Sequence, residues 1–210
     1  MYILAVETST ENASVCCLSD GKVTADIKAS GNYSHNKLLF DMIKDVLDKS
    51  AISVKQIDVF AIGTGPGSFT GLRVGAGAVK GMAMAIRKKI IPVPSTDAAA
   101  LNYFTKFPGK ERINIILEGR QKDFFYGEYE FKDDDVVKKN EIIVHPYANS
   151  SYIKGYVAGN VDIDNVRIQN YAENIYPEAC FVARLAYIRN KSASFDYGFE
   201  PQYYKQFRVR

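Results

Sequence analysis

Short apolar runs broken by small polar residues open the chain. "YILAVETS" carries Ile3 and Val6 and ends in Thr and Ser, which predicts a buried strand. "ASVCCLSDGKVTADIKAS" follows as two β-type runs around Asp20-Gly21, a strong hairpin signal. From Ser34 the period changes. Leu38, Leu39, Met42, Ile43, Val46 and Leu47 share one helical face, while Lys37, Asp41, Lys44, Asp45 and Asp48 lie on the other. Ser34 is the expected N-cap of that helix. "IDVFAIGT" reads as a buried strand, residues 69–86 as a helix and "KIIPVP" as a further strand. Ser95 is expected to cap a helix running to about Phe104.

The resulting order β-β-β-α-β-α-β-α joins an antiparallel hairpin to parallel crossover units, which suits a ribonuclease-H-like lobe of α/β class. After Gly109 the texture shifts: of the 26 Phe and Tyr residues, 19 lie beyond residue 104. "INIILEG", "DFFYGEYEF" and "EIIVHP" read as strands, "DDD" at 133–135 as a solvated turn, and a helix is expected from about Pro177. The division expected is an N-terminal lobe, 1–104, and a smaller C-terminal lobe, 105–210, with a terminal helix and the tail "YYKQFRVR".

Composition narrows the classes. The net charge is +3, and neither half is a basic platform, so there is no positive case for autonomous nucleic-acid binding. Three cysteines, two of them adjacent at Cys16 and Cys17, cannot build a disulfide framework and fit a reducing compartment. "MYILAVETST" lacks the basic start of a signal peptide, and no apolar run approaches the ~18 residues of a membrane span. The expectation is a cytoplasmic protein. His35 and His145 are the only histidines, so a zinc site or a Cys-His nucleophile has little to draw on.

The densest signal is "GTGPGSFTGLRVGAGAVKG", residues 63–81, which holds seven of the fifteen glycines. It lies between a strand and a helix, where backbone N–H groups can face an anion, yet it lacks both the Walker A string and the G-x-G-x-x-G spacing. Gly71, Gly75, Gly77 and Gly81 fall inside the expected helix, where each costs roughly 0.8–1 kcal/mol against Ala. Close packing explains that cost better than a loop does. The rows Gly67/Gly71/Gly75 and Gly77/Gly81/Ala85 each make a narrow groove, filled either within the lobe or by another subunit.

"ILAVETSTENASV", "SHNKLL", "GPGSFTGLRVGAGAVKGMA" and the late "EPQYY" resemble the TsaB (YeaZ) family, densely over residues 1–104 and thinly afterwards. Its members are accessory subunits of the bacterial machinery that makes N6-threonylcarbamoyladenosine beside the tRNA anticodon. The resemblance implies an actin/Hsp70-like (ASKHA) two-lobe fold with a reduced second lobe, and a non-catalytic subunit paired with a TsaD-like catalytic paralogue. It further implies a TsaE-like ATPase in the complex and only indirect or minor tRNA contact, while the wide apolar stripe and the glycine grooves predict a symmetric homodimer, through the helices beginning near Ser34 and Phe69, when the chain is alone. Any ATP or ADP binding is then weak or shared, and confined to the complex. The paralogue's metal-binding histidines fall at Ser95 and Ala99, neither of which can hold a metal. The expected partner interface is Leu38, Leu39, Met42, Val46, Gly71, Val74, Gly75, Ala78 and Met82. Residues matching the phosphate-facing part of the fold are Glu7, Thr8, Ser9, Gly65 and Gly67. Two departures stand out: "ILEGRQKDFFYGEY" replaces an Asp-Ala-Arg-Arg string, and Lys205 stands where Arg is common.

Two other classes compete. An independent ASKHA-type ATPase or kinase needs a second phosphate hairpin and an adenosine segment, for which Gly155 and Gly159 are the only trace. A glycoprotease-like peptidase needs the missing histidines or an organised nucleophile. The partner subunit is the favoured reading.

Overall fold

The computed structural model describes residues 1–29, 35–190, 198–202 and 204. Ser34, Lys205 and most of the basic tail lie outside the described residues. The first half of the chain runs β1 (Tyr2–Glu7), β2 (Ala13–Ser19), β3 (Lys22–Ala29), α1 (His35–Lys49), β4 (Val59–Gly63), α2 (Phe69–Ala85), β5 (Lys89–Val93) and α3 (Ser95–Lys106). The second half adds β6 (Arg112–Glu118), β7 (Asp123–Lys132), β8 (Asp135–Lys138), β9 (Ile143–Pro146), β10 (Val157–Gly159), β11 (Tyr171–Ala172) and α4 (Ala179–Arg189).

Five strands form the first sheet in the order β3-β2-β1-β4-β5, antiparallel across β3, β2 and β1 and parallel across β1, β4 and β5. Its central strands are apolar on both faces because both faces are covered. Ile3, Ala5, Cys16, Leu18, Val59, Ala61, Ile91 and Val93 point to one core, and Leu4, Val6, Val15, Cys17, Phe60, Ile62 and Ile90 to another. Helices α1 and α2 close the second of these. This is the ribonuclease-H-like arrangement of the actin/Hsp70-like fold. The Asp20-Gly21 turn joins β2 to β3 as expected, both residues having positive φ, 46° and 81°.

Helices α3 and α4 and the second sheet share the other core. That sheet runs β11-β10-β6-β7-β8, with β9 also paired to β7. The terminal helix α4, assigned by the sequence division to the second lobe, packs on β1 and β2 of the first sheet and against α3. One ionic cluster joins the layers. Arg189 of α4 donates to both carboxylate oxygens of Asp135 at 3.0 and 2.8 Å and to Asp97 Oδ2 at 2.8 Å. Tyr129 Oη lies 2.6 Å from Thr96 Oγ1 and 3.0 Å from Asp97 Oδ1. Burial raises the Asp97 carboxyl above its ordinary value, with Arg189 working against it. The solvated turn expected at 133–135 therefore holds only for Asp133 and Asp134, because Asp135 is claimed by Arg189. Among the described residues no helix is long and apolar enough to cross a membrane.

Candidate interaction surface and the closed phosphate loop

Glu7 ends β1 with its carboxylate fully buried. Ser9 N–H donates to Glu7 Oε1 at 2.6 Å, and the Ser95 hydroxyl donates to Glu7 Oε2 at 2.7 Å. Ser95 Oγ in turn accepts from Gly65 N–H at 3.0 Å, and Ser95 N–H donates to Gly65 O at 2.8 Å. One carboxylate thus ties the β1–β2 turn, through Ser95 at the start of α3, to the glycine loop between β4 and α2. Ser95 does not cap α3, as the sequence suggests. Pro94 holds the N-cap position, and the serine side chain is spent on Glu7. Burial raises the Glu7 carboxyl above its ordinary value of 4.5, and the hydrogen bonds from Ser95 and Ser9 oppose that rise.

Several polar groups of the loop are spent within the chain. Ser68 N–H donates to Ser9 O at 2.6 Å, Ser68 Oγ accepts from Gly71 N–H at 3.3 Å, and the Thr8 hydroxyl donates to Gly71 O at 2.8 Å. Gln202 N–H donates to Thr64 O at 2.8 Å, laying the C-terminal strap over the loop. Gly65, at φ +95°, adopts a backbone that side chains rarely tolerate. Thr8 and Ser9 are as buried as Glu7, Gly65 is buried beneath Leu72 and the Gln202 carbonyl, and Gly67 lies against Ser9. The five residues read as phosphate-facing are together in space, and each faces other parts of the chain.

The two glycine rows have different fates. A Cβ on Gly67 would overlap Ser9 O, one on Gly71 would overlap Thr8 O, and one on Gly75 would overlap the Thr8 hydroxyl. The β1–β2 turn therefore fills the first row, and Gly71 and Gly75 are inside the chain rather than on a partner groove. Gly71→Ala is expected to destabilise the protein by about 1–3 kcal/mol or more, because the obstacle is backbone and cannot rotate away. A thermal melt of the variant checks this.

Gly77 and Gly81 differ: among the described residues an added Cβ meets nothing within 4 Å at either position. They lie on the exposed side of α2, with Met84 60% exposed on that helix and Phe40 54% exposed on α1. Leu39, Met42, Val46 and Ala78, expected at an interface, are buried in the core beneath α1 and α2, while Leu38, Val74 and Met82 are half-buried against it. They hold the two helices to the sheet. Phe40 was legible as the one large apolar residue off the α1 stripe. Ser95 and Ala99, where the resemblance is expected to place the paralogue's histidines, are fully buried in α3. Cys16 and Cys17 are buried in β2, and burial pushes the Cys16 thiol well up.

Comparison with known proteins gives the family and the fold. The family model described as TsaD, tRNA N6-adenosine threonylcarbamoyltransferase, matches residues 28–155. The chain is 34% identical over 61% of its length to the tRNA threonylcarbamoyladenosine biosynthesis protein TsaB of Haemophilus influenzae, and the match spans 53% of that protein. It is 32% identical over 65% of its length to the TsaB of Escherichia coli, spanning 58% of that relative. The chain thus matches little more than half the length of these curated relatives. A solved structure from Pseudomonas aeruginosa, described as an uncharacterised protein with similarity to peptidase YeaZ, superposes with TM-score 0.85 at 22% identity. That superposition covers 97% of this chain and 99% of the other, and it shows the fold. With more than half of its 210 residues matched by the family model, the chain belongs to the TsaD family, in its TsaB/YeaZ group.

Proposed function

We propose that this protein is a non-catalytic subunit of the complex that makes threonylcarbamoyladenosine in tRNA, and that it docks a TsaD-like catalytic subunit on the outward face of α1 and α2. The observation that carries this reading is the Gly77/Gly81 strip on α2, with Met84 exposed on the same helix and Phe40 exposed on α1. Glycine in a helix interior is costly. The first row is explained by Thr8 and Ser9, whereas an added Cβ in the second meets nothing within 4 Å among the described residues, which suits a neighbouring helix approaching closely. The hydrogen bonds that the glycine loop spends on Ser9, Thr8 and Ser95 support a subunit that carries no nucleotide chemistry of its own. A TsaE-like ATPase joins the assembled complex in the cytoplasm, and any ATP or ADP is held there in common. Without the catalytic subunit, two copies of this chain pair through the same face, isologous two-fold pairing being the commonest closed arrangement.

The test is a reconstituted modification assay on unmodified tRNA, with ATP turnover measured in parallel. The chain alone is expected to give background turnover, and adding it to the TsaD-like subunit and the TsaE-like ATPase is expected to raise modification well above what they reach without it. Robust ATP hydrolysis by the isolated chain, or modification indifferent to its presence, overturns the reading.

A further inference from the structure

The outer face of the second sheet, turned away from the shared core, carries a hollow between β6, β7, β9 and the helical turn Tyr147–Tyr152. Its volume is about 410 Å³, within the roughly 300–1,000 Å³ range of small-molecule sites. The hollow beside Asn12, Lys28 and Tyr176 has only about 220 Å³ and falls below that range. In the larger one Tyr126 and Glu128 of β7 line one side, and His145 of β9 stands edge-on to Tyr126 with ring centroids 5.9 Å apart. Tyr126 Oη is 2.7 Å from Glu128 Oε1 and 3.0 Å from Asn114 Oδ1. Asn114 Nδ2 donates to the main-chain oxygens of Lys154 and Tyr156 at 2.8 and 3.0 Å, which fixes the "SYIKGY" loop against the sheet.

On that loop Tyr152 is 80% exposed and Tyr156 49% exposed, one on each side of Lys154. Lys110 Nζ lies 3.9 Å above the Tyr156 ring. Rings this open contribute little to the core, yet Asn114 holds the loop that presents them. A wholly apolar ligand is disfavoured by Glu128 and the exposed amide of Asn149. A bare anion is disfavoured by the Glu128 carboxylate. A planar ring with N–H donors at one edge and a phosphate at the other satisfies all of them.

We propose that this hollow binds an unpaired nucleobase together with its phosphate. The base stacks on Tyr152, as exposed aromatic side chains do in single-strand recognition. Glu128, an acceptor when ionised, takes the N–H edge of the base, and the Asn149 amide offers either a donor or an acceptor beside it. Lys154 pairs with the phosphate. The same chemistry is offered by a free nucleotide and by an unpaired stretch of RNA. Both sheets separate this site from the outward face of α1 and α2, so it stands or falls independently of the docking reading.

The experiment titrates the full chain with a fluorescently labelled unpaired oligoribonucleotide, read by anisotropy, and with GMP and AMP, read by calorimetry. Binding of at least one probe is expected, weakened about 5- to 150-fold by Tyr152→Ala and retained by Tyr152→Phe. Lys154→Ala should weaken RNA binding and reduce its dependence on the logarithm of salt concentration by roughly one. Tyr152 is too exposed for its replacement to threaten the fold, and unchanged melting checks that. A response to RNA alone assigns the ligand to a strand, and an equal response to GMP or AMP assigns it to a free nucleotide. Either supports the proposal. Binding of neither probe, or binding indifferent to Tyr152→Ala, overturns it.

Discussion

Glu7→Ala is expected to lower the stability of the protein by about 2–6 kcal/mol. The change leaves two buried donors, Ser9 N–H and Ser95 Oγ–H, without their acceptor, and each orphaned group costs about 1–3 kcal/mol. A domain is typically stable by only about 5–15 kcal/mol, so a large part of the margin goes. Glu7→Gln should be far milder, because the amide oxygen can still accept from Ser9 and the Ser95 hydroxyl can turn to accept from the amide. The same pair of variants reads the titration of the site. Burial raises the Glu7 carboxyl in the folded state, so the folded chain holds that proton more tightly than the unfolded chain does. The resulting stability is complete below the ordinary value of 4.5 and is lost as pH rises through the folded value. Asp97, raised in the same way by burial, adds a slope of the same sign. Denaturant titrations from mildly acidic to neutral pH should therefore show stability falling with pH, and falling less steeply in Glu7→Gln. A slope unchanged by that substitution would contradict the assignment.

The second large effect falls on association rather than folding. An added Cβ at Gly77 or Gly81 meets no atom of the described residues within 4 Å, and each replacement should raise helix stability by roughly 0.8 kcal/mol at an exposed position. The melting temperature of the double variant should hold or rise. Its affinity for the catalytic subunit should fall by at least about 100-fold, roughly 2.7 kcal/mol, because two branched side chains would occupy the space where a neighbouring helix approaches. Opposite signs for stability and binding separate a docking groove from a packing defect. Phe40→Ser and Met84→Ser, exposed apolar residues of α1 and α2, should weaken association in the same direction without the gain in stability.

Much of the first sheet was legible because its strands are apolar on both faces and bounded by Asp-Gly, Gly-Thr and Pro-Ser punctuation. The short strands β8, β10 and β11 were not, since a few residues carry no period. The spacing of the glycines revealed two rows along α2, but the rotation of that helix on its sheet decides which row faces inward. That rotation is set by Thr8 and Ser9, some sixty residues upstream, and no local pattern reports it. The α1 stripe misled in a related way: an apolar stripe marks the buried side of a helix, and Leu39, Met42 and Val46 are spent on the chain's own core. Ser95 looked like a cap because its helix begins there, while its hydroxyl answers to Glu7 across the sheet. Asp135 read as solvated because Arg189, its counter-ion, lies 54 residues away in sequence.

The most direct measurement is the affinity of the purified chain for its TsaD-like catalytic subunit, by titration calorimetry, for the wild type and for the Gly77→Leu, Gly81→Leu pair. Tight binding by the wild type and a loss of at least about 100-fold in the double variant, with melting unchanged or raised, is the predicted result. No binding by the wild type, or wild-type affinity in the double variant, would contradict the account.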